Sequence, residues 1–171
     1  RNEFTFPDAG GAEVTAVTSH NGVLLAFTED TVYSLEEFGS PRPLSQGIGC
    51  VAPRSIVALP SGLLIWMARD GFYGLAPGGG IERISEPIDR QTHHFLAKGR
   101  MRKAVAAYNY EAREYQCAVA EAGSSENNLM LCFGQGGWRR KRLGLAIRDI
   151  CTVRDWRKYT LIAARALEGM T

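Results

Sequence analysis

Residues 22–35 recur as residues 62–75 at an ungapped offset of 40, and this internal repeat limits the possible folds more than any other feature. Gly22 and Gly62, Leu24 and Leu64, Asp30 and Asp70, Tyr33 and Tyr73, and Leu35 and Leu75 are identical, and most other positions keep their apolar character. Each copy reads as an apolar strand, a tight turn at the aspartate and a second strand carrying an aromatic residue. Upstream of each copy lies another β-prone run, 14–18 or 55–59, followed by His20-Asn21-Gly22 or Pro60-Ser61-Gly62. Asn-Gly and Ser-Gly supply the positive φ that two-residue hairpin turns need. Each unit is expected to be a three-stranded antiparallel meander.

The second half of the chain carries four further strand-like runs, 104–108, 114–120, 128–133 and 137–143. Glu114-Tyr115-Gln116 finds an echo at Lys158-Tyr159-Thr160, an offset of 44. Units of about 40–50 residues, each a small antiparallel sheet, are what propeller blades look like in sequence. The expected fold is therefore all-β, a β-propeller-like succession of three- or four-stranded antiparallel sheets forming a partial propeller. It is read as one domain over 1–171, with approximate blades 12–46, 47–85, 101–145 and an incomplete 146–171. One short helix is expected near 86–97, capped by Ser85 with Pro87 in its first turn. Gly78-Gly79-Gly80 reads as a hairpin tip and not a phosphate cradle, because no lysine follows it and no helix starts there.

Composition bounds the rest. With 45% hydrophobic and 22% charged residues, the chain of 171 residues can bury a core, and disorder is excluded as its main state. No run of 18 apolar residues occurs, so a membrane role has no support. The start at Arg1-Asn2-Glu3 suggests a processed product or a part of something longer. Cysteines 50, 117, 132 and 151 form no Cys-x-x-Cys pair and have no histidine at ligand spacing; they read as reduced thiols, mostly buried, in an intracellular setting. The net charge of +2 is uneven: residues 1–60 hold three arginines against seven acids, a balance of −4, so the remainder carries +6.

That basic excess gathers around Arg102 and Lys103, in Trp138-Arg139-Arg140-Lys141-Arg142, and in Arg154, Arg157 and Lys158. Trp138, Arg139, Arg140, Lys141, Arg142, Arg102 and Lys103 are the candidate contacts to DNA or a partner protein, beside the plainer reading of a solvated basic face. Asp30 and Asp70 read as turn caps rather than a ring of ligating carboxylates. His93 and His94 are adjacent, so on a helix they diverge by about 100° and cannot chelate one ion together. Gly134-Gln135-Gly136-Gly137-Trp138 is similar to the Asp-box turn of sialidases, but Leu131-Cys132-Phe133 stands where the Ser-x-Asp should be. No nucleophile elbow or placed carboxylate pair is present. No catalytic residue, metal or cofactor is expected.

The stretch Gly47-Ile48-Gly49-Cys50-Val51-Ala52-Pro53-Arg54-Ser55-Ile56-Val57, then residues 62–73 and Ile84-Ser85, resembles the repeated sheets of bacteriophage virion proteins, in particular tail accessory factors and tail nozzle proteins of short-tailed phages. The resemblance spans about 14–165, and its motifs are structural. It implies a structural virion protein of a phage tail or head–tail connector, ringing the DNA exit channel, assembled in the host cytoplasm and not an enzyme. Other virion proteins, and non-specific DNA, would be its partners. A half-propeller leaves strand edges to be covered, so a homo-oligomer is expected. The alternative is a carbohydrate-binding propeller module in which Trp138, Trp156, Tyr108 or Tyr110 stacks on sugars, with a glycoside hydrolase fragment a distant third.

Overall fold

The computed structural model describes residues 12–35, 40–88, 96–153 and 160–166. Fourteen strands among them form four antiparallel sheets, each built from consecutive strands. Sheet 1 holds β1 (Ala16–His20), β2 (Val23–Phe27), β3 (Val32–Leu35) and β4 (Arg42–Pro43). Sheet 2 holds β5 (Val57–Ala58), β6 (Leu64–Met67), β7 (Phe72–Leu75) and β8 (Ile81–Arg83). Sheet 3 holds β9 (Val105–Asn109), β10 (Glu114–Val119), β11 (Leu129–Gly134) and β12 (Gly137–Lys141), and sheet 4 pairs β13 (Leu145–Thr152) with β14 (Thr160–Ala166). β9 packs against β5 on one side and β13 on the other, so the first strands of sheets 2, 3 and 4 lie side by side. That arrangement of meanders, first strand next to first strand, is the partial propeller.

The repeat occupies equivalent places. Leu24 pairs with Leu35 and Phe27 with Val32, and forty residues on Leu64 pairs with Leu75 and Met67 with Phe72. The likeness extends beyond the fourteen matched residues. The hydroxyl of Ser45 accepts the Val32 N–H at 3.1 Å, as that of Ser85 accepts the Phe72 N–H at 2.9 Å. Each blade thus has a fourth strand, β4 or β8, and a serine beyond it that satisfies the first amide of the third strand; the expected three-strand meander was one strand short.

Side chains on alternate residues of a strand point to opposite faces, and in sheet 2 both faces are buried. Leu64, Trp66, Tyr73 and Leu75 meet Leu25, Phe27 and Val32 of sheet 1. Ile65, Met67 and Phe72 meet Tyr115, Cys117, Leu129 and Leu131 of sheet 3. On its other face sheet 3 sends Ala118, Met130 and Cys132 against Ile147 and Ile150 of sheet 4. Hydrogen bonds cross the seams: Trp66 Nε1 donates to the Gly49 carbonyl at 3.0 Å, and Tyr115 Oη to the Ser55 carbonyl at 3.0 Å. Gly49 is fixed by its surroundings, since a Cβ there would lie 2.3 Å from the Thr28 carbonyl oxygen.

Several expectations are corrected. Of the helix near 86–97 the structure describes one turn at 86–88, and 89–95, with His93 and His94, lie outside the described residues. The Ser85 hydroxyl, expected as a helix cap, accepts the Phe72 N–H of its own blade. A 3₁₀ helix, Lys98–Lys103, stands where the sequence offers only a basic cluster. At the first repeat turn Thr28 does the capping, accepting the Asp30 and Thr31 amides, while Asp30 and Asp70 take ion pairs with Arg69 and Arg83. Tyr159, Lys158, Trp156, Arg154 and Arg157 lie outside the described residues. Cys50, Cys117 and Cys132 are free and buried, with burial pushing their thiols up to about 12, 12 and 11, whereas Cys151 is exposed. Among the described residues no helix is long and apolar enough to cross a membrane.

Candidate functional site: a basic cleft at one end of the blades

In a four-stranded meander the hairpin between the second and third strands lies at the same end as the chain's entry into the first strand. At this end of sheets 2 to 4 is a cleft of about 470 Å³. Arg54 reaches it from the 3₁₀ turn before β5, Arg100, Arg102 and Lys103 from the 3₁₀ helix before β9, Glu126 from the β10–β11 connection and Arg148 from β13. Five cations therefore face one carboxylate, brought together by chain segments far apart in sequence.

The walls are held by backbone. Asn127 Nδ2 donates to the Lys103 carbonyl at 2.8 Å, the Ile147 N–H donates to the Asn127 carbonyl at 2.7 Å, and Arg100 donates to the Ser125 carbonyl. At the rim Arg102 and Arg69 share Glu29, and Arg54 pairs with Asp149. Arg165 binds Glu126 at 2.8 Å, and this bond, with Arg148 and Arg100 nearby, holds the Glu126 carboxyl below its ordinary range. Among the described residues no ion pair joins Lys103 or Arg148 to a carboxylate. A concave wall with unneutralised cations concentrates field and attracts anions.

The seven sequence candidates separate. Arg102 and Lys103 line the cleft. Trp138 is half-buried and packs into the sheet 2–sheet 3 core: it lies against Phe72 and Phe133 with ring centroids at 4.9 and 5.0 Å, and its Nε1 donates to the Ile84 carbonyl at 2.7 Å. Arg139 and Lys141 bind the buried Glu114 carboxylate, and Arg142 binds Glu121. Arg140 lies opposite Leu131 on β12, away from the cleft, and is also engaged. Sequence reading leaves out Arg54 and Arg148, which no local pattern connects to Lys103; only the seams of sheet 3 with sheet 2 on one side and sheet 4 on the other bring them near. Among the described residues no cluster of three or more His, Cys, Asp or Glu is arranged to hold a metal ion.

Four sheets of successive strands, with the first strands of sheets 2, 3 and 4 packed side by side, give the chain a β-propeller fold. Solved structures that it resembles are virginiamycin B lyase from Staphylococcus aureus, at TM-score 0.60 and 10% identity over 98% of this chain and 59% of that one. A catalytically inactive variant of the same enzyme with quinupristin follows at 0.59 and 10%, over 99% and 60%, and a streptogramin B lyase at 0.52 and 11%, over 87% and 47%. No protein-family model and no curated protein sequence matches the chain. The chain spans about three fifths of the length of the first two similar structures. These neighbours overturn two expectations. They are lyases and not phage-tail or connector proteins, sugar-binding modules or glycoside hydrolases, and an architecture expected to lack catalysis is one that enzymes use.

Proposed function

We propose that this chain supplies blades of a β-propeller enzyme and that the basic cleft takes in an anionic small molecule. The observation that carries this reading is the convergence of Arg54, Arg100, Arg102, Lys103 and Arg148 on one concavity. In a lyase-type reaction negative charge builds beside the bond that breaks, and fixed guanidinium groups in a partly enclosed site stabilise such charge. A cleft of this size holds a molecule of metabolite dimensions.

Pyrophosphate is the probe. Calorimetric titration is expected to show binding that weakens as salt rises, and the Arg102→Ala, Lys103→Ala double variant is expected to weaken it by about tenfold or more, since each charge-assisted contact is worth about 1.5–3 kcal/mol. Neither residue belongs to the core, so the far-ultraviolet spectrum should not change. Unaltered affinity in the double variant would refute the site. Tighter retention of a short DNA duplex than of pyrophosphate would replace the small molecule with nucleic acid.

The end sheets support a second proposal, self-association. Val17 is 57% and Leu24 40% exposed on the outer face of sheet 1, and Leu161 and Ile162 are 48% and 41% exposed on β14. A second copy covers these faces. Sedimentation equilibrium at micromolar concentration is expected to give a dimer or larger; a monodisperse monomer would contradict it.

A further inference from the structure

At the opposite end of the blades, between sheets 1 and 2, lies a separate pocket of about 500 Å³. The β1–β2 and β7–β8 hairpin tips form it, closed from the side by the start of β4 and the residues after it. Hairpins joining first to second and third to fourth strands lie at one end of a meander, so this pocket and the basic cleft are on opposite ends. Its walls are chiefly apolar: Val23, Leu25, Leu44, Leu75 and Pro77. Val23 is 42% exposed, an apolar surface that the described residues leave open. Arg42 is the one charged residue among the described residues lining it, and no ion pair or side-chain hydrogen bond engages its guanidinium among them.

The pocket is built firmly. Asn21 and Gly22 adopt φ of 49° and 78°, which fixes the tight β1–β2 turn. His20 is buried, and its Nε2 lies 2.9 Å from the Gly62 carbonyl, tying the tip of sheet 1 to sheet 2 across the pocket floor. Ser34 Oγ donates to the Arg42 carbonyl at 3.4 Å, holding the start of β4 against β3. A preformed apolar concavity of this volume with few convergent polar groups is what small-molecule sites look like.

We propose that this pocket binds a small carboxylic acid with an apolar body. The carboxylate pairs with the Arg42 guanidinium, whose planar fork suits two carboxylate oxygens, and the body lies against Val23, Leu25, Leu44 and Leu75. A fully hydrated dianion such as phosphate gains nothing from those walls. The inference is independent of the basic cleft, which differs in lining, charge and position.

Phenylacetate and its neutral isostere phenylacetamide separate charge recognition from apolar burial in an amide-resolved NMR titration. Phenylacetate is expected to shift the Val23, Leu25 and Leu44 amides, and phenylacetamide to bind about tenfold more weakly. In Arg42→Gln the two probes should bind alike, and an excess of pyrophosphate should displace neither from the native protein. Equal affinity of acid and amide for the native protein, no shift at these three amides, or an unchanged acid preference in Arg42→Gln would each overturn the proposal. The native comparison decides the question even if the variant folds poorly.

Discussion

Replacing Trp66 by alanine is expected to lower the free energy of unfolding by about 3–5 kcal/mol, read from the midpoint of a denaturant curve. Trp66 is wholly buried and stands in the seam between the repeat copies. Its ring meets Phe27 of sheet 1 edge-on at 5.5 Å and stacks on Tyr73 of its own sheet at 6.4 Å. Removing it opens a cavity between two blades and leaves the Gly49 carbonyl without its 3.0 Å donor. Trp66→Phe keeps most of the apolar contact and loses the donor, so its cost should be smaller, about 1–3 kcal/mol. Against a total stability of about 5–15 kcal/mol for a domain, that loss is a large fraction of the whole. A loss under about 1 kcal/mol would mean that the two sheets do not share this core.

The second large effect is a pH dependence centred on Glu114. Its side chain is 2% exposed, on the face of sheet 3 that looks toward sheet 4. Burial pushes its pKa up, but hydrogen bonds from Lys141, Gln116 and Arg139, with the Lys141 charge, outweigh burial and bring it from the ordinary 4.5 down to about 2. A carboxyl with a depressed folded pKa stabilises the fold fully above its unfolded value, and that stability is lost as pH falls toward the folded one. The window is therefore between about 4.5 and about 2, and the contribution is roughly 3 kcal/mol. Urea midpoints measured across this window should fall steeply in the native protein. Glu114→Gln should be less stable at neutral pH and should flatten that fall. An equally steep acid limb in Glu114→Gln would show that other carboxylates govern it.

Much of this fold can be read from the chain, and the reasons are local. The offset of 40 places Leu24 and Leu64 in identical pairings because a strand, a tight turn and a strand of fixed length admit one register. The same alternation also sets which way the residues of β12 point. Trp138 pairs with Phe133, and Phe133 shares a face with Leu131 and Tyr115, so parity alone turns the indole inward. Arg139 and Lys141, of opposite parity, meet Glu114 for the same reason. By contrast, Ser45 and Ser85 sit in linkers where one serine looks like any other, and their role depends on where a strand of the same blade ends.

The basic cleft was half legible. Arg102 and Lys103 stand in a visible cluster, but Arg54 and Arg148 join them only through the packing of β5, β9 and β13. The phage-tail function that the resemblance implies is overturned by the lyase neighbours, and the reason is physical. A stretch such as Asp70-Gly71-Phe72-Tyr73 supplies a turn and a buried aromatic, which any propeller hairpin needs, so it reports architecture and not activity.

Aromatic NOESY spectroscopy tests most directly whether the repeat copies stack as neighbouring blades. The fold requires cross-peaks from the Trp66 ring to Phe27 across one seam, and from Phe72 to Tyr115 and Trp138 across the next, where centroids are 5.5, 6.0 and 4.9 Å apart. Strand contacts within each sheet without these cross-seam peaks would place the two fourteen-residue stretches in unrelated positions and contradict the propeller.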